Sequence, residues 1–410
     1  MVAPFSPDLE RLAAVRDALP ALGAGIYLNT GSVGPLPAET AAVMAEMAEH
    51  ELRVGRGHMD GYPELLQRLA EARAAVAAVL TTDPIAIALN HSTTDGVNAF
   101  VLALDLRAGD HIVTTRQEHP GILGPVATAR ARGVEASFVD IGDGGDDRVT
   151  LEAIERAMTA RTRLVAVSHV LWTTGAVLPI AAIADIAHSH GAHIVIDGAQ
   201  SAGAIALDLE ATRADGYAIP AQKWLLGPEG MGALAVRPSL VAELTPALGG
   251  YLSFGSFDAV GSAVFQSDAR RFEWSGWHRP SVVGMARSIS WLSMFVGLDW
   301  VYARGTAMAN KAAARLAAIP GVEVLTPIHQ MATLVSFRIA GWPPVDAMAE
   351  LGARAFAIIR TIDALEAIRI SVGFFTSDEE LERFAEAVAL LAAHSPETIP
   401  PRRTLTILEG

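Results

Sequence analysis

The sequence contains no cysteine among its 410 residues. This absence excludes disulfide bonds, thiolate metal ligands and cysteine nucleophiles together. The sequence also has no run of 18 or more apolar residues, so we expect no membrane-spanning helix. Its first residues, MVAPFSPDLERLAAV, do not combine a basic segment with an apolar run and therefore predict no signal peptide. We accordingly expect a cytoplasmic location.

Positive charge is scarce as well. The 31 Lys and Arg residues are outnumbered by 45 Asp and Glu residues, which gives a formal net charge of −14. A nucleic acid or an anionic membrane would be repelled unless a local basic patch reversed the field. The densest basic cluster, formed by Arg270, Arg271 and Arg279, is too small for that purpose. The composition therefore predicts neither a nucleic-acid partner nor a membrane partner.

The composition and the alternation of segments are typical of an α/β protein. The chain is 51% hydrophobic and 19% charged, and its length predicts two structural units. Between residues 85 and 237, apolar segments alternate with helix-length segments, which predicts a mainly parallel seven-stranded sheet covered on both faces. The predicted strands are Ile85–Leu89, His111–Thr115, Ala136–Val139, Arg163–Val167, His193–Ile196, Gly216–Ile219 and Gly232–Val236.

The pattern changes in the last third of the chain. A loop at Gly249–Ser267 and a helix at Pro280–Val296 precede a smaller αβ unit. Its predicted elements are the strands Val322–Leu325, Ala332–Ile339, Ala355–Arg360 and Ile368–Ser371 and the helix Asp378–Ala393. We predict a large unit at 25–275 and a small unit formed by 1–24 and 276–410.

Lys223 and Asp197 are placed as pyridoxal phosphate chemistry requires. Asp197 ends an apolar strand, and Lys223 follows one strand later. A lysine amine forms the Schiff base with the cofactor aldehyde, and a carboxylate keeps the pyridine nitrogen protonated. A lysine after a strand is usually a solvated surface residue. Lys223, however, lies beside Trp224 and has no charged neighbour before Glu229, which favours a cofactor-binding role.

Two further sites lie where predicted strands end, and ligands bind beyond the carboxyl ends of parallel strands. The turn Ser92–Gly96 joins a strand to a helix, and its N–H groups and hydroxyls suit the cofactor phosphate. The alternative is an ordinary helix cap. His119 follows another strand, and its imidazole can lie flat over a pyridine ring. The alternative is a histidine with a structural hydrogen bond.

Arg360 and Arg369 lie near the ends of predicted strands in the smaller unit. Arginine binds a carboxylate through two parallel hydrogen bonds, so these residues are candidates for the substrate carboxylate. The alternative is a salt bridge to one of the many acids. His188, His190 and His193 have no carboxylate at a metal-ligand spacing, and we interpret them as a feature of a helix C-terminus. We predict no metal site.

With these residues in hand, the chain resembles the class V aminotransferase superfamily of pyridoxal phosphate enzymes, which includes the cysteine desulfurases. The similarity runs nearly from end to end. It covers Tyr27-Leu28-Asn29-Thr30-Gly31, Glu118-His119-Pro120-Gly121, Ser168-His169-Val170-Leu171-Trp172, Asp197-Gly198-Ala199-Gln200, Lys223-Trp224, Arg271-Phe272-Glu273, Arg360-Thr361-Ile362 and Ile368-Arg369-Ile370-Ser371. The second and third stretches are more similar to the cyst(e)ine C–S lyases than to the desulfurases.

The resemblance implies the aspartate aminotransferase-like fold, a homodimer and a role for each matching residue. Lys223 would hold the cofactor, Asp197 would pair with its ring nitrogen, and His119 would stack on the ring. Gln200 would bind the phenolic oxygen. The remaining implied roles are phosphate binding by Thr93 and Thr94 and substrate binding by Arg369, Arg360 and Gly31.

Three positions depart from the family pattern. Gln222 stands where a histidine often contacts the phosphate, and Gly276 stands where a threonine reaches the phosphate of a neighbouring subunit. Ser275 is the candidate substitute for that threonine, and Gln222 remains a candidate phosphate ligand. Thr173 replaces an asparagine of the lyase pattern.

The reaction can be narrowed from the residues present. A desulfurase needs a thiolate to attack the substrate sulfur, and this sequence has none. β-Elimination needs a general base, an electron sink and a leaving group, and Lys223 is the candidate base. We therefore predict a C–S β-lyase that converts cystine, cysteine or a related S-substituted cysteine to pyruvate, ammonia and a thiol or persulfide. An epimerase similar to isopenicillin N epimerase, an aminotransferase and a non-catalytic cofactor-binding protein remain alternatives.

Overall fold

A seven-stranded sheet is the largest element of the structure. The computed structural model describes residues 9–274 and 276–402. Its strands, in chain order, are β1 (Ile26–Tyr27), β2 (Ile87–Asn90), β3 (His111–Thr115), β4 (Glu135–Val139), β5 (Thr162–Ser168), β6 (His193–Asp197), β7 (Gly216–Pro220), β8 (Gly232–Val236), β9 (Phe254–Phe257), β10 (Ala263–Phe265), β11 (Val322–Val324), β12 (Leu334–Ile339), β13 (Ala357–Ile358), β14 (Arg360–Ile362) and β15 (Ala367–Ser371). Its α-helices are α1 (Leu9–Asp17), α2 (Ala38–Val54), α3 (Gly61–Leu80), α4 (Thr93–Ala103), α5 (Pro120–Ala131), α6 (Asp147–Ala157), α7 (Ile180–Ser189), α8 (Leu209–Thr212), α9 (Pro238–Val241), α10 (Arg279–Ser290), α11 (Leu298–Ala317), α12 (Pro344–Ala355) and α13 (Asp378–Ala392).

The large sheet has the strand order β2-β8-β7-β6-β5-β3-β4. Strand β8 pairs antiparallel with both β2 and β7, and the other pairs are parallel. Except for the edge strand β4, these strands are buried along almost their whole length. Burial on both faces explains the uninterrupted apolar segments in the sequence. The predicted α/β class with a mainly parallel seven-stranded sheet is confirmed.

The reversal of β8 follows from its connection. The segment between Pro220 and Gly232 contains no helix, and a parallel neighbour would need a crossover that returns the chain to the other end of the sheet. Strand β2 is in turn antiparallel to β8, so it runs in the same direction as β7. The carboxyl ends of β2, β3, β6 and β7 therefore meet at one edge of the sheet.

A second sheet has the order β11-β12-β15-β14 and is antiparallel throughout. It shares a buried apolar core with helices α11, α12 and α13. Strand β1 pairs in parallel with β13, and Asn29 bridges Ser371, so the segment after β1 is tied to the end of this second sheet. This connection brings Gly31 towards the carboxyl edge of the large sheet.

The division into 25–275 and 1–24 with 276–410 stays a prediction. Side chains on both sides of these boundaries pack into the core of the large sheet, among them Val15 and Leu19 from the first segment and Met285 and Ile289 from α10. Arg16 also forms a bidentate ion pair with Glu380 of α13. The N-terminal helix therefore contacts both units.

Three predicted elements in the last third of the chain were wrong in detail. The predicted strand Ala355–Arg360 is divided, because α12 continues to Ala355 and Phe356 then adopts a left-handed conformation with φ of 55°. The predicted helix Pro280–Val296 is α-helical only to Ser290 and continues as a π-helical turn, Trp291–Val296. The predicted loop Gly249–Ser267 contains the antiparallel pair β9 and β10.

Within the described part of the chain, no single helix is both long and apolar enough to cross a membrane. Arg279–Val296 and Leu298–Ala317, which are bent by 84° relative to each other, meet the length and composition criteria only when they are taken together.

Candidate active site

One cavity of about 220 Å³ contains every predicted site residue that the structure describes. It lies at the carboxyl edge of the large sheet, where that edge faces the second sheet. The predicted residues that line it are Gly31, Thr93, Thr94, His119, Asp197, Gln200, Gln222, Lys223, Arg360 and Arg369. Ser275 lies outside the described residues. The cavity brings these side chains together, and their individual roles stay predictions.

Lys223 and Asp197 form the charged centre of this cavity. Burial lowers the pKa of Lys223 to about 8, although the charge of Asp197 acts in the opposite direction. Burial raises the pKa of Asp197, while Lys223 and the backbone N–H of Ala199, at 2.8 Å, lower it. Two groups whose charged forms are disfavoured thus face each other. Such perturbed pairs in a cavity are typical of catalytic sites.

The turn that carries Lys223 packs directly against the segment before α2. The N–H of Gly34 donates to the carbonyl of Gln222 at 2.7 Å. A Cβ atom at Gly34 would lie 2.3 Å from the carbonyl oxygen of Lys223, so only glycine permits this approach. The contact fixes the backbone on both sides of the lysine.

Gln200 and Gly31 lie at the junction of the two sheets. The Nε2 of Gln200 donates to the carbonyl of Gly31 at 2.8 Å, and its Oε1 accepts from the indole of Trp224 at 2.9 Å. A Cβ atom at Gly31 would lie 2.8 Å from Ser371 Oγ and 2.9 Å from Gln200 Oε1. The amide nitrogen carries two hydrogens, so Gln200 retains one donor for a ligand.

His119 is the N-terminal cap of α5. Its Nδ1 accepts the backbone N–H of Gly121 at 3.0 Å, which assigns the proton of the neutral ring to Nε2. Its ring contacts Trp172 edge to face at 5.2 Å. Burial, followed by the positive charges of Lys223, Arg360 and Arg369, lowers the pKa of His119 to about 4. The imidazole is therefore neutral near pH 7, as stacking on a protonated pyridine ring requires.

The start of α4 has the features of an anion site. Ser92 is the helix cap, since its Oγ accepts the N–H of Asp95 at 3.1 Å. Thr93 Oγ1, by contrast, is buried and has no hydrogen-bond partner among the residues described, and the same holds for Gln222 Oε1. An unpaired buried polar atom is costly, and a bound phosphate would accept a hydrogen bond from the Thr93 hydroxyl. The capping alternative is therefore correct for Ser92 but does not account for Thr93.

Arg369 and Arg360 face each other across the antiparallel pair β14 and β15. Arg369 is fully buried and donates to the carbonyl of Trp172 at 2.7 Å, but its Nε and one terminal nitrogen have no partner in the described chain. Arg360 stacks over Trp172 at 5.7 Å and donates to Ser32 Oγ at 3.3 Å.

Neither arginine forms an ion pair with a carboxylate of residues 9–274 or 276–402. The salt-bridge alternative is thus not supported. Burial and the charge of Arg360 lower the pKa of Arg369, but a guanidinium stays charged near pH 7. A buried cation and a partly buried one, adjacent and without an acid, form a binding site for an anionic ligand such as a carboxylate.

The departures from the family pattern are accounted for in part. The hydroxyl of Thr173 donates to Gln117 at 2.7 Å and does not line the cavity. Gly276 is exposed, and a Cβ atom there would meet nothing within 4 Å.

Sequence reasoning assigned no role to two further residues at or beside this site, although Glu118 was recognised as lying at the end of a strand. Glu118 is buried behind His119, where it accepts hydrogen bonds from Ser168 N, Ser168 Oγ and Thr115 Oγ1. Burial raises its pKa to about 7. Trp172 lines the cavity and contacts both His119 and Arg360. Both residues lie within stretches that carry the family resemblance, which was the available signal.

The cavity fits pyridoxal phosphate. A partly buried lysine and a buried acid line it together, a neutral imidazole is available for stacking, and an unsatisfied hydroxyl stands at a helix start. Two larger cavities, of about 930 and 810 Å³, lie outside this region and contain no comparable lysine–aspartate pair. The donor set therefore assigns the cofactor to the smaller cavity.

Comparisons with known proteins agree with this geometry. The sequence model of the family described as aminotransferase class V matches residues 26–384. A probable cysteine desulfurase of Methanothermobacter thermautotrophicus is 28% identical over 399 residues, which cover 93% of this chain and 98% of the relative. Isopenicillin N epimerase of Streptomyces clavuligerus is 31% identical over 392 residues, with coverages of 89% and 94%.

The fold of a solved enzyme is also similar. A complex between the cystine C–S lyase C-DES and its reaction product, cysteine persulfide, superposes with a TM-score of 0.84 at 27% identity. The similarity covers 90% of this chain and 99% of that one. Because the family model and these relatives match most of its length, the chain belongs to the class V aminotransferase family of pyridoxal phosphate enzymes, as the resemblance in the sequence predicts.

Proposed function

We propose that this enzyme is a C–S β-lyase that cleaves cystine, cysteine or a related S-substituted cysteine to pyruvate, ammonia and a thiol or persulfide. The observation that carries the proposal is the pair Arg360 and Arg369, two cations without an acid, opposite the partly buried Lys223. This arrangement suits an α-amino acid whose carboxylate is held while its α-carbon faces a base. The similarity to a cystine C–S lyase supports the substrate class.

Bound pyridoxal phosphate supplies an aldehyde that links to amines and a ring that accepts electrons from the substrate α-carbon. The chain supplies the surroundings for that chemistry. Lys223 would hold the cofactor covalently, and Asp197 would keep the ring nitrogen protonated. Thr93, Thr94 and Gln222 would hold the phosphate, since the start of α4 offers free N–H groups and the Thr93 hydroxyl is unpaired.

The substrate would be oriented by its carboxylate. Arg369 presents two unpaired nitrogen atoms into the cavity, and Arg360 lies beside it on the neighbouring strand. With the carboxylate fixed, the α-proton points towards the amine of Lys223. Its lowered pKa of about 8 makes the neutral, proton-accepting form accessible near pH 7. Once the substrate amine has displaced it from the cofactor, the Lys223 amine would accept the α-proton and pass it to the departing sulfur, which leaves as a thiol or persulfide.

The absence of cysteine favours elimination over desulfuration. A desulfurase transfers sulfur to a thiolate of its own chain, and this sequence offers none. Sulfur must therefore leave on the substrate fragment, as a thiol or a persulfide. The resemblance to the cysteine desulfurases thus extends to the fold and the cofactor site but not to a sulfur acceptor.

The test is the release of pyruvate. The cofactor-loaded protein would be incubated separately with L-cystine, L-cysteine and S-methyl-L-cysteine, and pyruvate and ammonia would be measured. We expect equal amounts of both products from at least one substrate. Lys223→Ala should lower the rate by roughly 10⁴-fold or more, because both the base and the covalent attachment are lost. Lys311→Ala is the matched control, since Lys311 is an exposed lysine paired with Asp378.

A second candidate is an amino-acid epimerase, which the 31% identity to isopenicillin N epimerase favours. Such an enzyme would use the same base and the same carboxylate seat but would not expel the sulfur. In deuterium oxide it would exchange the α-hydrogen without releasing pyruvate. Exchange alone would therefore replace the lyase proposal, and neither exchange nor pyruvate would indicate a non-catalytic cofactor-binding protein.

We also propose that the enzyme is a homodimer. Leu52, Met59 and Val260 are 84%, 96% and 87% exposed, and these apolar side chains lie near the junction of α2 with α3 and on the β9–β10 hairpin. A ring contact between Tyr62 and Tyr251 at 6.2 Å joins these two regions into one surface. Light scattering should give the mass of two chains, and Met59→Glu should shift it towards one. A wild-type monomer at micromolar concentration would contradict the proposal.

A further inference from the structure

Three potential metal ligands lie together at the junction of α2 and α3, outside the cavity of the proposed active site. His50 is in the last turns of α2, His58 is in the connection, and Glu64 is in the first turn of α3. Each offers one ligand atom, and the three atoms lie within 4.8 Å of one another. The imidazoles of His50 and His58 are 6.2 Å apart and nearly perpendicular. The sequence predicts no metal site because seven and five residues separate these ligands, without a recognisable motif.

Hydrogen bonds within the protein do not satisfy this cluster. The Nε2 atom of His58 is buried and has no partner in the described chain. The nearest approach of His50 Nε2 to Glu64 Oε2 is 3.7 Å, which is too long for a hydrogen bond. Buried polar atoms are rarely left unpaired, so an additional group is expected at this position.

The spacing suits a shared ion. A tetrahedral ion bound at about 2.0–2.2 Å to each ligand holds the ligand atoms roughly 3.3 Å apart. The present distances, 3.7 Å for His50 to Glu64 and at most 4.8 Å within the group, exceed this value by up to about 1.5 Å, which side-chain rotation can remove because all three residues are only partly buried. The helices themselves need not move.

We propose that His50, His58 and Glu64 bind a divalent transition-metal ion of the zinc class. Two imidazoles and one carboxylate select zinc, cobalt or nickel over calcium and magnesium, which require oxygen ligands. Three protein ligands leave a fourth position open. His50 and Glu64 also line a cavity of about 810 Å³, which has room for water or a small anion. Because His50 lies in α2 and Glu64 lies in α3, the ion would also link these two helices.

The charge of the cavity that His50 and Glu64 line favours a cation, although the guanidinium of Arg279 lies near His58 on the other side. Four glutamates line the same cavity, Glu39, Glu46, Glu64 and Glu71, against the two arginines Arg68 and Arg287. Arg68 lies 3.7 Å from Glu64 but bonds Glu71 more closely, at 3.1 Å. A metal ion that binds Glu64 would therefore leave the shorter ion pair, Arg68 with Glu71, intact.

The test is calorimetric titration of the cofactor-loaded protein with Zn²⁺, after metal removal and in buffer without amino acids. We expect one ion per chain. Loss of an outer-sphere partner already weakens metal sites by about 10–100-fold, so loss of a ligand in His58→Ala or Glu64→Gln should weaken binding at least as much. The matched control is His190→Ala, because His190 forms a 2.8 Å pair with Glu155 and belongs to no three-residue ligand group in the described chain.

Two further measurements separate a lost ligand from a damaged fold. Circular dichroism and thermal unfolding of the metal-free variants should match the wild type. Co²⁺ bound to the wild type should show visible ligand-field bands of a tetrahedral site, and these bands should be lost in His50→Gln. Absence of Zn²⁺ binding, or equal affinity in His58→Ala, Glu64→Gln and the wild type, would overturn the proposal.

Discussion

The large sheet buries one acid at its amino edge and another at its carboxyl edge, and the two have opposite surroundings. At the amino edge, the side chain of Asp215 has no exposed surface. It accepts hydrogen bonds or ion pairs from His188, His193, Arg237 and the backbone N–H of Ile194, at distances from 2.8 to 3.3 Å. Burial would raise the pKa of Asp215, but these partners lower it below its ordinary value.

At the carboxyl edge, Asp197 is buried to the same degree but remains underpaired. It accepts the N–H of Ala199 and faces Lys223 across the cavity, and burial keeps its pKa raised. The comparison shows that a buried acid paired within the fold stabilises the fold. A buried acid left without such partners is available to a ligand.

Among the substitutions that test this comparison, Asp197→Asn should have the largest effect on activity. The amide matches the carboxylate in size but cannot hold a ring nitrogen in its protonated form. We expect the rate of pyruvate release to fall by about 10²–10³-fold. The cofactor-free protein should not lose stability, since an acid with a raised pKa is a cost to the fold above that pKa and the substitution removes it. Full activity in this variant would show that Asp197 is as structural as Asp215.

Arg369→Lys should have the next largest effect. Loss of a two-pronged, charge-assisted contact costs about 1.5–3 kcal/mol, or roughly 10–150-fold in kcat/KM. Arg338→Lys is the matched control, because Arg338 lies in the same sheet and already bonds Glu323 and the carbonyl of Leu365. Equal losses in both variants would mean that Arg369 supports the fold and not the substrate.

Asp215→Asn should act on stability instead of activity. Four donors lose a charged acceptor, so we expect the free energy of unfolding to fall by about 1–3 kcal/mol at pH 7, measured by urea denaturation. The depressed pKa means that this stabilisation is present above the ordinary value of about 3.9 and is lost as pH falls through the pKa of the folded state. The difference between wild type and variant should therefore shrink towards pH 3. A fall in the rate of pyruvate release without a fall in the free energy of unfolding would contradict the comparison.

The last prediction concerns the pH dependence of cofactor uptake. Because only the neutral amine of Lys223 can attack an aldehyde, the rate at which the cofactor-free protein takes up pyridoxal phosphate should rise about tenfold per pH unit well below the pKa and level off near pH 8. The gain of cofactor absorbance with time measures this rate. A rate that rises without levelling to pH 10 would show that Lys223 is not desolvated at the underpaired edge.

The site residues could be predicted where local sequence carries the signal. Lys223, Asp197 and His119 are chemically distinctive residues at the ends of apolar strands, and the carboxyl ends of parallel strands meet at one edge. The strand prediction failed where packing overrides local preference. Phe356 ends α12 in a left-handed conformation, so the apolar stretch that begins at Ala355 could not be recognised as the end of a helix followed by two short strands.

Other features depended on partners that are distant in the chain. Gln200 and Gly31 are 169 residues apart, and the bond between them is decided by how the second sheet docks on the first. His188 and His193 both contact Asp215, an acid that follows them by more than 20 residues and directly precedes the next strand. Nothing in the spacing of the histidines indicates that they share this acid.

By itself, the sequence determined the strand-helix alternation, the lysine and aspartate proposed for the cofactor site and the exclusion of a thiolate, because these follow from residue type and short-range pattern. The tertiary structure alone decided which charged groups are satisfied. Arg369 without an acid, Asp215 with four donors and the meeting of His50, His58 and Glu64 all depend on distances between segments far apart in the sequence. Hydrogen-bond satisfaction is a property of the packed interior, so no local pattern can specify it.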